Sequence, residues 1–79
     1  MRVHVKLFAT LAKLVPDTVA GVPFDVELPA AAMVAALAGH LRLPAAEVNI
    51  VFVNARARPL DWVLQPDDEV GIFPPVGGG

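Results

Sequence analysis

The sequence has 79 residues, a formal net charge of −2, eight prolines, six glycines and no cysteine, and 56% of its residues are hydrophobic. A chain this short forms one domain, and without cysteine it has neither disulfides nor a thiolate metal site. Phosphate binding depends on clustered Lys and Arg, and Arg56 and Arg58 are too few, so we expect no nucleic-acid partner. No apolar run approaches the ~20 residues of a membrane span. Because Met1-Arg2 leads directly into an alternating pattern, there is also no signal-peptide core, and we expect a cytoplasmic protein without a membrane partner.

The beginning of the chain predicts a strand and then a short helix. Residues 2–8, "RVHVKLF", alternate apolar and polar positions with the period of two that is typical of a strand. Residues 10–15 have helical spacing, with Thr10 as the expected N-cap, and Pro16 ends the segment. The side chains that we expect on the core face of these two elements are Val3, Val5, Leu7, Leu11, Leu14 and Val15.

A second strand and the main helix follow. Residues 22–28, "VPFDVEL", alternate again. From Pro29, which suits the first turn of a helix, apolar residues recur at helical spacing until Leu41, and Pro44 prevents any continuation. The predicted core positions are Val22, Phe24, Val26 and Leu28 in the strand, and Ala30, Met33, Val34, Leu37, Ala38 and Leu41 in the helix.

The last third of the chain predicts two more strands. Residues 48–54 are rich in β-branched side chains and end at Asn54, a turn former. Residues 58–64 are ambiguous between an edge strand and a helical turn, and residues 67–73 form the last strand after a turn at Pro66. The order of elements predicts an α+β fold in which a mixed sheet of four to five strands packs against one main helix. We expect a β-grasp, or ubiquitin-like, domain over residues 1–73.

Few residues in this chain are suited to catalysis. It has no Ser, Cys or Tyr, which excludes a catalytic nucleophile of the Ser-His-Asp or Cys-His kind. His4 and His40 each lack a second His at metal spacing, so we expect both on the surface. Residues 67–69, "DDE", point in alternating directions and predict a solvated acidic turn rather than a metal site. Trp62 is either an exposed anchor for a partner or a partly buried core aromatic.

Residues 74–79, "PPVGGG", predict an extended, flexible tail that ends in Gly-Gly. Pro74 and Pro75 remove two backbone donors and direct the chain off the sheet, and the three glycines form the thinnest thread that a polypeptide allows. The one reactive group is the α-carboxylate of Gly79, which is ionised at neutral pH and is a poor electrophile. It requires activation by a partner, most simply as an acyl-adenylate made from ATP. A frayed terminus is the alternative interpretation.

Two stretches resemble the MoaD/ThiS family of ubiquitin-like sulfur carriers, most closely the MoaD type, the small subunit of molybdopterin synthase. They are "MRVHVKLFATLAKLV" and "DDEVGIFPPVGGG". The resemblance implies that a MoeB-like adenylyltransferase activates Gly79 with ATP, that a thiocarboxylate forms there, and that the tail enters a MoaE-like large subunit. It implies no bound cofactor or metal and no self-contained active site. The residues expected to contact the partners are Phe8, Phe73, Pro74, Pro75, Val76, Gly77 and Gly78.

The chain departs from the family pattern at two places. Gly77 stands where a Thr or another side-chained residue is common, and Pro66-Asp67-Asp68 replaces an Asp-Gly-Asp turn. Neither change removes the carboxylate chemistry. Three alternatives remain open: a carrier for thiamine or cysteine biosynthesis, a protein modifier that forms isopeptides through Gly79, and a β-grasp interaction module with an inert tail.

Overall fold

Five strands form one mixed sheet in the order β2-β1-β5-β3-β4 in the computed structural model, which describes residues 1–75. The strands are β1 (Arg2–Leu7), β2 (Phe24–Glu27), β3 (Ile50–Val53), β4 (Arg56–Arg58) and β5 (Glu69–Phe73). The described residues also contain one α-helix, α1 (Val34–His40), and two 3-10 helices at Ala9–Leu14 and Ala45–Glu47. The architecture confirms the predicted β-grasp fold, with five strands.

The two central strands come from opposite ends of the chain. β1 and β5 pair in parallel, with Val5 opposite Val70 and Leu7 opposite Ile72, whereas all other neighbouring strands are antiparallel. Since side chains alternate along a strand, every strand has one face toward the core and one toward solvent. We call the solvent side of the sheet the outer face.

The core lies between the other face of the sheet and the helices. Val3, Val5 and Leu7 of β1 are completely buried, as predicted. Val34 and Leu37 of α1 are also completely buried in the same cluster. The remaining buried apolar side chains of the cluster are Leu11, Val26, Leu28, Leu43, Val51, Val53, Leu64, Val70 and Ile72.

The main helix begins later than its apolar spacing predicts. Pro29–Ala32 is a turn, in which the Ala32 N–H donates to the Pro29 carbonyl over 3.2 Å, and Ala31 has a φ of +64°. Met33 then pairs with Val63 as an isolated β-bridge. The prediction that Met33 packs in the core is wrong, because its side chain is 46% exposed.

Backbone partners from a distant segment fix this start. The N–H groups of Val34 and Ala35 donate to the carbonyls of Trp62 and Leu60, over 2.9 and 2.8 Å. The first amides of a helix have no partners within the helix itself. Because the segment around Trp62 supplies acceptors for them, the helix starts where these carbonyls lie, and no side-chain cap is formed.

Two smaller predictions of local structure were also wrong. The segment after β1 is a 3-10 helix capped by Phe8 rather than an α-helix capped by Thr10, and Leu14 is 46% exposed. Val22 is 52% exposed because β2 begins only at Phe24. The Gly21 N–H donates to the Leu7 carbonyl over 2.8 Å, which holds the residues before β2 in a turn.

The ambiguous segment 58–64 is mostly irregular. It leaves β4 after Arg58, contributes the bridge at Val63, and buries Leu64 while Leu60 stays 50% exposed.

No helix within residues 1–75 is long and apolar enough to cross a membrane.

Candidate functional site

Three aromatic side chains lie together on the outer face, and we call Phe8, Phe52 and Phe73 the aromatic platform. The rings of Phe8 and Phe73 stack with 4.2 Å between centroids and 2° between planes. Phe52 meets Phe73 edge to face, at 5.5 Å and 80°. All three rings are only partly buried, so the platform presents apolar surface to solvent. Phe8 and Phe73, which the resemblance implies in partner binding, are thus in direct contact.

Gly71 allows the platform to form. It lies on the outer face between Lys6 of β1 and Phe52 of β3. A Cβ atom at Gly71 would lie 3.2 Å from Cε2 of Phe8 and 3.7 Å from Cε1 of Phe73. The first distance is tighter than an ordinary van der Waals contact, so a side chain at Gly71 would require the Phe8 ring to shift by a few tenths of an ångström.

The platform forms one end of a shallow concavity of about 290 Å³. His4, Lys6 and Glu69 line its other end, and Pro23 also contributes. An apolar centre with charged groups at its border is the usual composition of a protein–protein contact. The concavity therefore suits the surface of another protein.

The chain leaves the sheet beside the platform. The Asn49 N–H donates to the Phe73 carbonyl over 2.9 Å, and the Phe8 N–H donates to the Ile72 carbonyl over 3.1 Å. Pro74 is half-buried and Pro75 is exposed, and neither continues the strand. The predicted roles of Val76, Gly77, Gly78 and Gly79 lie outside the described residues, and the division into a domain and a tail stays a prediction.

His4 joins three segments at the charged end of the outer face. Its Nδ1 lies 2.6 Å from Oδ1 of Asp25 in β2, and its Nε2 lies 3.2 Å from Oδ1 of Asp67 in the turn before β5. The hydrogen bond with Asp25, followed by that with Asp67, raises the pKa of His4 above its ordinary value. The other charged side chains on this part of the surface are Arg2, Lys6, Glu27 and Glu69. The expectation that His4 lies at the rim is confirmed. Its two hydrogen bonds connect β1 to β2 and to the turn before β5.

Arg2 makes the neighbouring ion pair. Its Nε donates to Oε1 of Glu27 over 3.0 Å, on the opposite strand of the hairpin. This hydrogen bond and the Glu27 charge raise the pKa of Arg2 further above its already high value. Arg2 therefore stays protonated and belongs to the charged border of the outer face.

The acidic turn is less solvated than the sequence predicts. Asp68 is only 7% exposed, and its carboxylate accepts hydrogen bonds from Nδ2 of Asn54 (2.9 Å) and from the Gln65 N–H (2.8 Å). This carboxylate is structural, because it connects the β3–β4 turn to the turn before β5. Within residues 1–75 no three His, Asp or Glu side chains are close enough to hold a metal ion.

Sequence reasoning missed Phe52 and Gly71 as parts of the surface. Val51 and Val53 are buried, so the alternation of β3 already directs Phe52 outward. An aromatic side chain at an outward position of a strand was a usable signal. Gly71 had no comparable signal, because its role depends on the packing of Phe8. Trp62 is 37% exposed, lies under the guanidinium of Arg58 and is not part of the core cluster, so its interpretation as a core aromatic is wrong. Its interpretation as an anchor for a partner stays a prediction.

Comparison with known structures supports the fold. SAMP1 of Haloferax volcanii, a small archaeal modifier protein, matches with a TM-score of 0.73 and 27% identity over 100% of both chains. A putative molybdopterin converting factor, subunit 1, from Pyrococcus furiosus matches with a TM-score of 0.72 and 32% identity over 95% of this chain and 98% of its own.

A third structure is a protein–protein complex of subunits 1 and 2 of the molybdopterin-converting factor of Helicobacter pylori 26695. It matches with a TM-score of 0.62 and 21% identity over 100% of both chains, which supports the fold alone. No match was found among curated proteins. The model of the ThiS family matches residues 5–79. Fold and family model agree, and the chain belongs to the ThiS family of ubiquitin-like β-grasp sulfur carriers.

Proposed function

We propose that this chain carries sulfur for molybdopterin biosynthesis as a thiocarboxylate on Gly79. A MoeB-like adenylyltransferase couples the Gly79 carboxylate to ATP, which gives an acyl-adenylate and releases pyrophosphate. A sulfide equivalent then displaces AMP and leaves the thiocarboxylate. After the sulfur has passed to the pterin precursor, hydrolysis restores the carboxylate. The partner enzymes supply the chemistry, and this chain supplies the carrier group and the surface that they recognise.

The observation that carries the proposal is the position of the aromatic platform at the exit of the tail. Phe73 is the last residue of β5 and a member of the platform, and Pro74 and Pro75 follow it directly. A partner that binds the platform therefore holds the base of the tail. Since two prolines restrict the directions that the chain takes from there, binding at the platform also directs the glycines toward the partner.

The name of one relative supports the choice of pathway. The Pyrococcus furiosus protein, 32% identical, carries the name of a putative molybdopterin converting factor subunit 1. The Helicobacter pylori structure is a complex of that kind of subunit with subunit 2. We propose that a MoaE-like subunit 2 is likewise the partner that receives the sulfur here.

Intact mass of the chain isolated from its own cells tests the carrier chemistry. We expect a fraction in which sulfur replaces one carboxylate oxygen, and loss of that fraction when Gly79 is deleted. Unmodified chain alone, in cells that are making the cofactor, would count against a carrier. Copurification with a MoaE-like subunit separates molybdopterin from thiamine or cysteine as the destination of the sulfur.

A second candidate function is protein modification, which the likeness to SAMP1 favours. The same acyl-adenylate would then react, directly or through a thioester, with a lysine amine to form an isopeptide. Tryptic peptides with a Gly-Gly remnant would not reveal it, because the last basic residue is Arg58 and Pro59 follows it. Cleavage after Arg56 leaves the long segment 57–79 on the lysine instead. Immunoblots under denaturing and reducing conditions, combined with a mass search for that segment, decide between the two functions.

A further inference from the structure

The outer edge of β4 is open at the far side of the sheet from β2. Among residues 1–75, β4 is the last strand in the sheet order and pairs only with β3. Asn54 and Ala55 form a two-residue turn, so Val53 and Arg56 close the hairpin as a hydrogen-bonded pair. Bonding alternates along an antiparallel ladder, which leaves the N–H and C=O of Ala57 directed away from β3. Ala57 is exposed, so one donor and one acceptor are available for another strand.

Two arginines flank this edge position on the same face. Arg56 is opposite Val53 and Arg58 is opposite Val51, and both valines are buried. The arginines therefore project on the core side of the sheet, at its border. Neither makes a salt bridge to any residue among positions 1–75. In a chain with a net charge of −2, this edge thus carries two positive charges, two residues apart, that have no ion-pair partner among residues 1–75.

The position of Arg58 is fixed by an aromatic ring rather than by polar partners. Its guanidinium carbon lies 4.0 Å from the centroid of the Trp62 ring, a cation–π contact. Its Nε is buried and has no hydrogen-bond partner in the described part of the chain. A guanidinium offers five N–H donors, and a carboxylate is the acceptor whose geometry fits it best. Arg58 therefore has an N–H group without an acceptor in the described part of the chain, and the contact with the Trp62 ring holds its guanidinium in place.

The carboxylate that lines a pocket together with the two arginines already has hydrogen-bond partners. Arg56, Arg58 and Trp62 line a pocket of about 250 Å³ together with Asp68. Both oxygens of Asp68 accept hydrogen bonds, from Asn54 and Gln65. Exposed apolar side chains lie in the same segment as Trp62: Leu60 is 50% exposed and Val63 is 40% exposed. The surface combines an open strand edge, two positive charges and apolar flanks.

We infer that the β4 edge, with Arg56, Arg58 and Trp62, binds an extended acidic segment of a partner protein. The segment adds a strand whose backbone bonds with the N–H and C=O of Ala57. The residues on either side of that bonded position lie opposite Arg56 and Arg58, on their face of the sheet, so their carboxylates pair with the arginines. The ligand is thus a strand with Asp or Glu at two positions separated by one residue. This surface is distinct from the aromatic platform, and the inference does not depend on the sulfur chemistry of the tail.

Amide NMR shifts of the full chain, titrated with a blocked heptapeptide that alternates glutamate and valine, test the inference. We expect shifts concentrated at Ala57, Arg58 and the Trp62 indole, with binding that weakens as salt increases. A matched peptide with glutamine in place of glutamate should bind about tenfold or more weakly. The double substitution Arg56→Glu and Arg58→Glu should cause a similar loss, whereas Lys13→Glu, on an exposed side chain, should not.

Several results would overturn the inference. They are equal binding of the glutamine peptide, no binding of either peptide, or shifts confined to the aromatic platform. Self-association of the wild-type chain in sedimentation experiments, abolished by the double substitution, would instead assign the edge to a second copy. If the double glutamate variant does not fold by circular dichroism, the Arg56→Gln and Arg58→Gln variant replaces it, and its unchanged affinity would contradict the pairing.

Discussion

Phe8 and Phe73 stack in parallel on the outer face, although they come from the beginning and the end of the chain. The parallel pairing of β1 with β5 brings them together, and Gly71 leaves the space that the Phe8 ring covers. The surface that we propose for partner recognition and the strand that precedes the tail thereby share one residue, Phe73. Substitutions at this surface should weaken partner binding while the protein still folds.

Replacing Gly71 should damage the aromatic platform. In Gly71→Ala the new Cβ would lie 3.2 Å from Cε2 of Phe8, so the ring must shift, and Gly71→Val should displace it further. We expect weaker binding to the activating enzyme and to the MoaE-like subunit, with the larger effect for valine. Calorimetric titration measures the affinities, and ring NOEs between Phe8 and Phe73 report the displacement.

Gly39→Ala is the matched control for this prediction. A Cβ at Gly39 meets nothing within 4 Å, and the residue lies inside α1. The substitution should raise the free energy of unfolding by up to about 1 kcal/mol and leave partner affinity unchanged. If Gly71→Val bound both partners as well as Gly39→Ala does, the platform would not be the recognition surface.

The His4 cluster should make stability depend on pH. Its hydrogen bonds with Asp25 and Asp67 raise the folded-state pKa of His4 above the ordinary value of 6.5. A raised pKa means that the folded state binds the proton more tightly than the unfolded state does. The stabilisation is therefore fully present below the unfolded-state pKa, and it is lost as the pH rises through the raised folded-state pKa.

Urea midpoints measured across neutral and mildly alkaline pH check this sign. The wild-type midpoint should fall with rising pH in that window, and His4→Gln should flatten the change. His40→Gln serves as the control, because His40 is exposed at the end of α1 and should leave the dependence intact. An equal slope in wild type and His4→Gln would show that other groups cause it.

The β3–β4 turn should be stabilised by glycine. Asn54 and Ala55 have φ values of +51° and +69°, and the left-handed region is costly for alanine. Ala55→Gly should raise the free energy of unfolding by roughly 0.5–1 kcal/mol, since Asn-Gly suits a two-residue hairpin turn. Ala57→Gly, two residues later in β4, should lower it by about 0.5–1 kcal/mol. Chemical denaturation measures both, and destabilisation by Ala55→Gly would contradict the argument.

Changes at the end of the tail should abolish the carrier function without affecting the fold. Deleting Gly78 and Gly79, or adding one residue after Gly79, moves the carboxylate away from the position at which we propose that it is activated. We expect loss of adenylation, measured as ATP–pyrophosphate exchange, and an unchanged melting temperature. Full function of the deleted chain would favour the interaction module with an inert tail.

The sequence predicted those parts of the fold that depend on local alternation. In β1 the period of two assigned Val3, Val5 and Leu7 to the buried face, because a strand has no other way to divide polar from apolar residues. The start of α1 could not be predicted, since it is fixed by carbonyls of Leu60 and Trp62 that lie far away in the chain. The burial of Asp68 was missed for the same reason, because its partner Asn54 belongs to another turn.

The place of β5 in the sheet also has a mechanical consequence. The tail continues from a strand that is hydrogen-bonded on both sides, to β1 in parallel and to β3 in antiparallel orientation. A pull on the tail is directed along β5, so it loads both ladders in shear, and many hydrogen bonds share the force. At an edge strand the same pull could peel the ladder bond by bond. We therefore expect the fold to resist a force on the tail better than it would resist the same force on an edge strand.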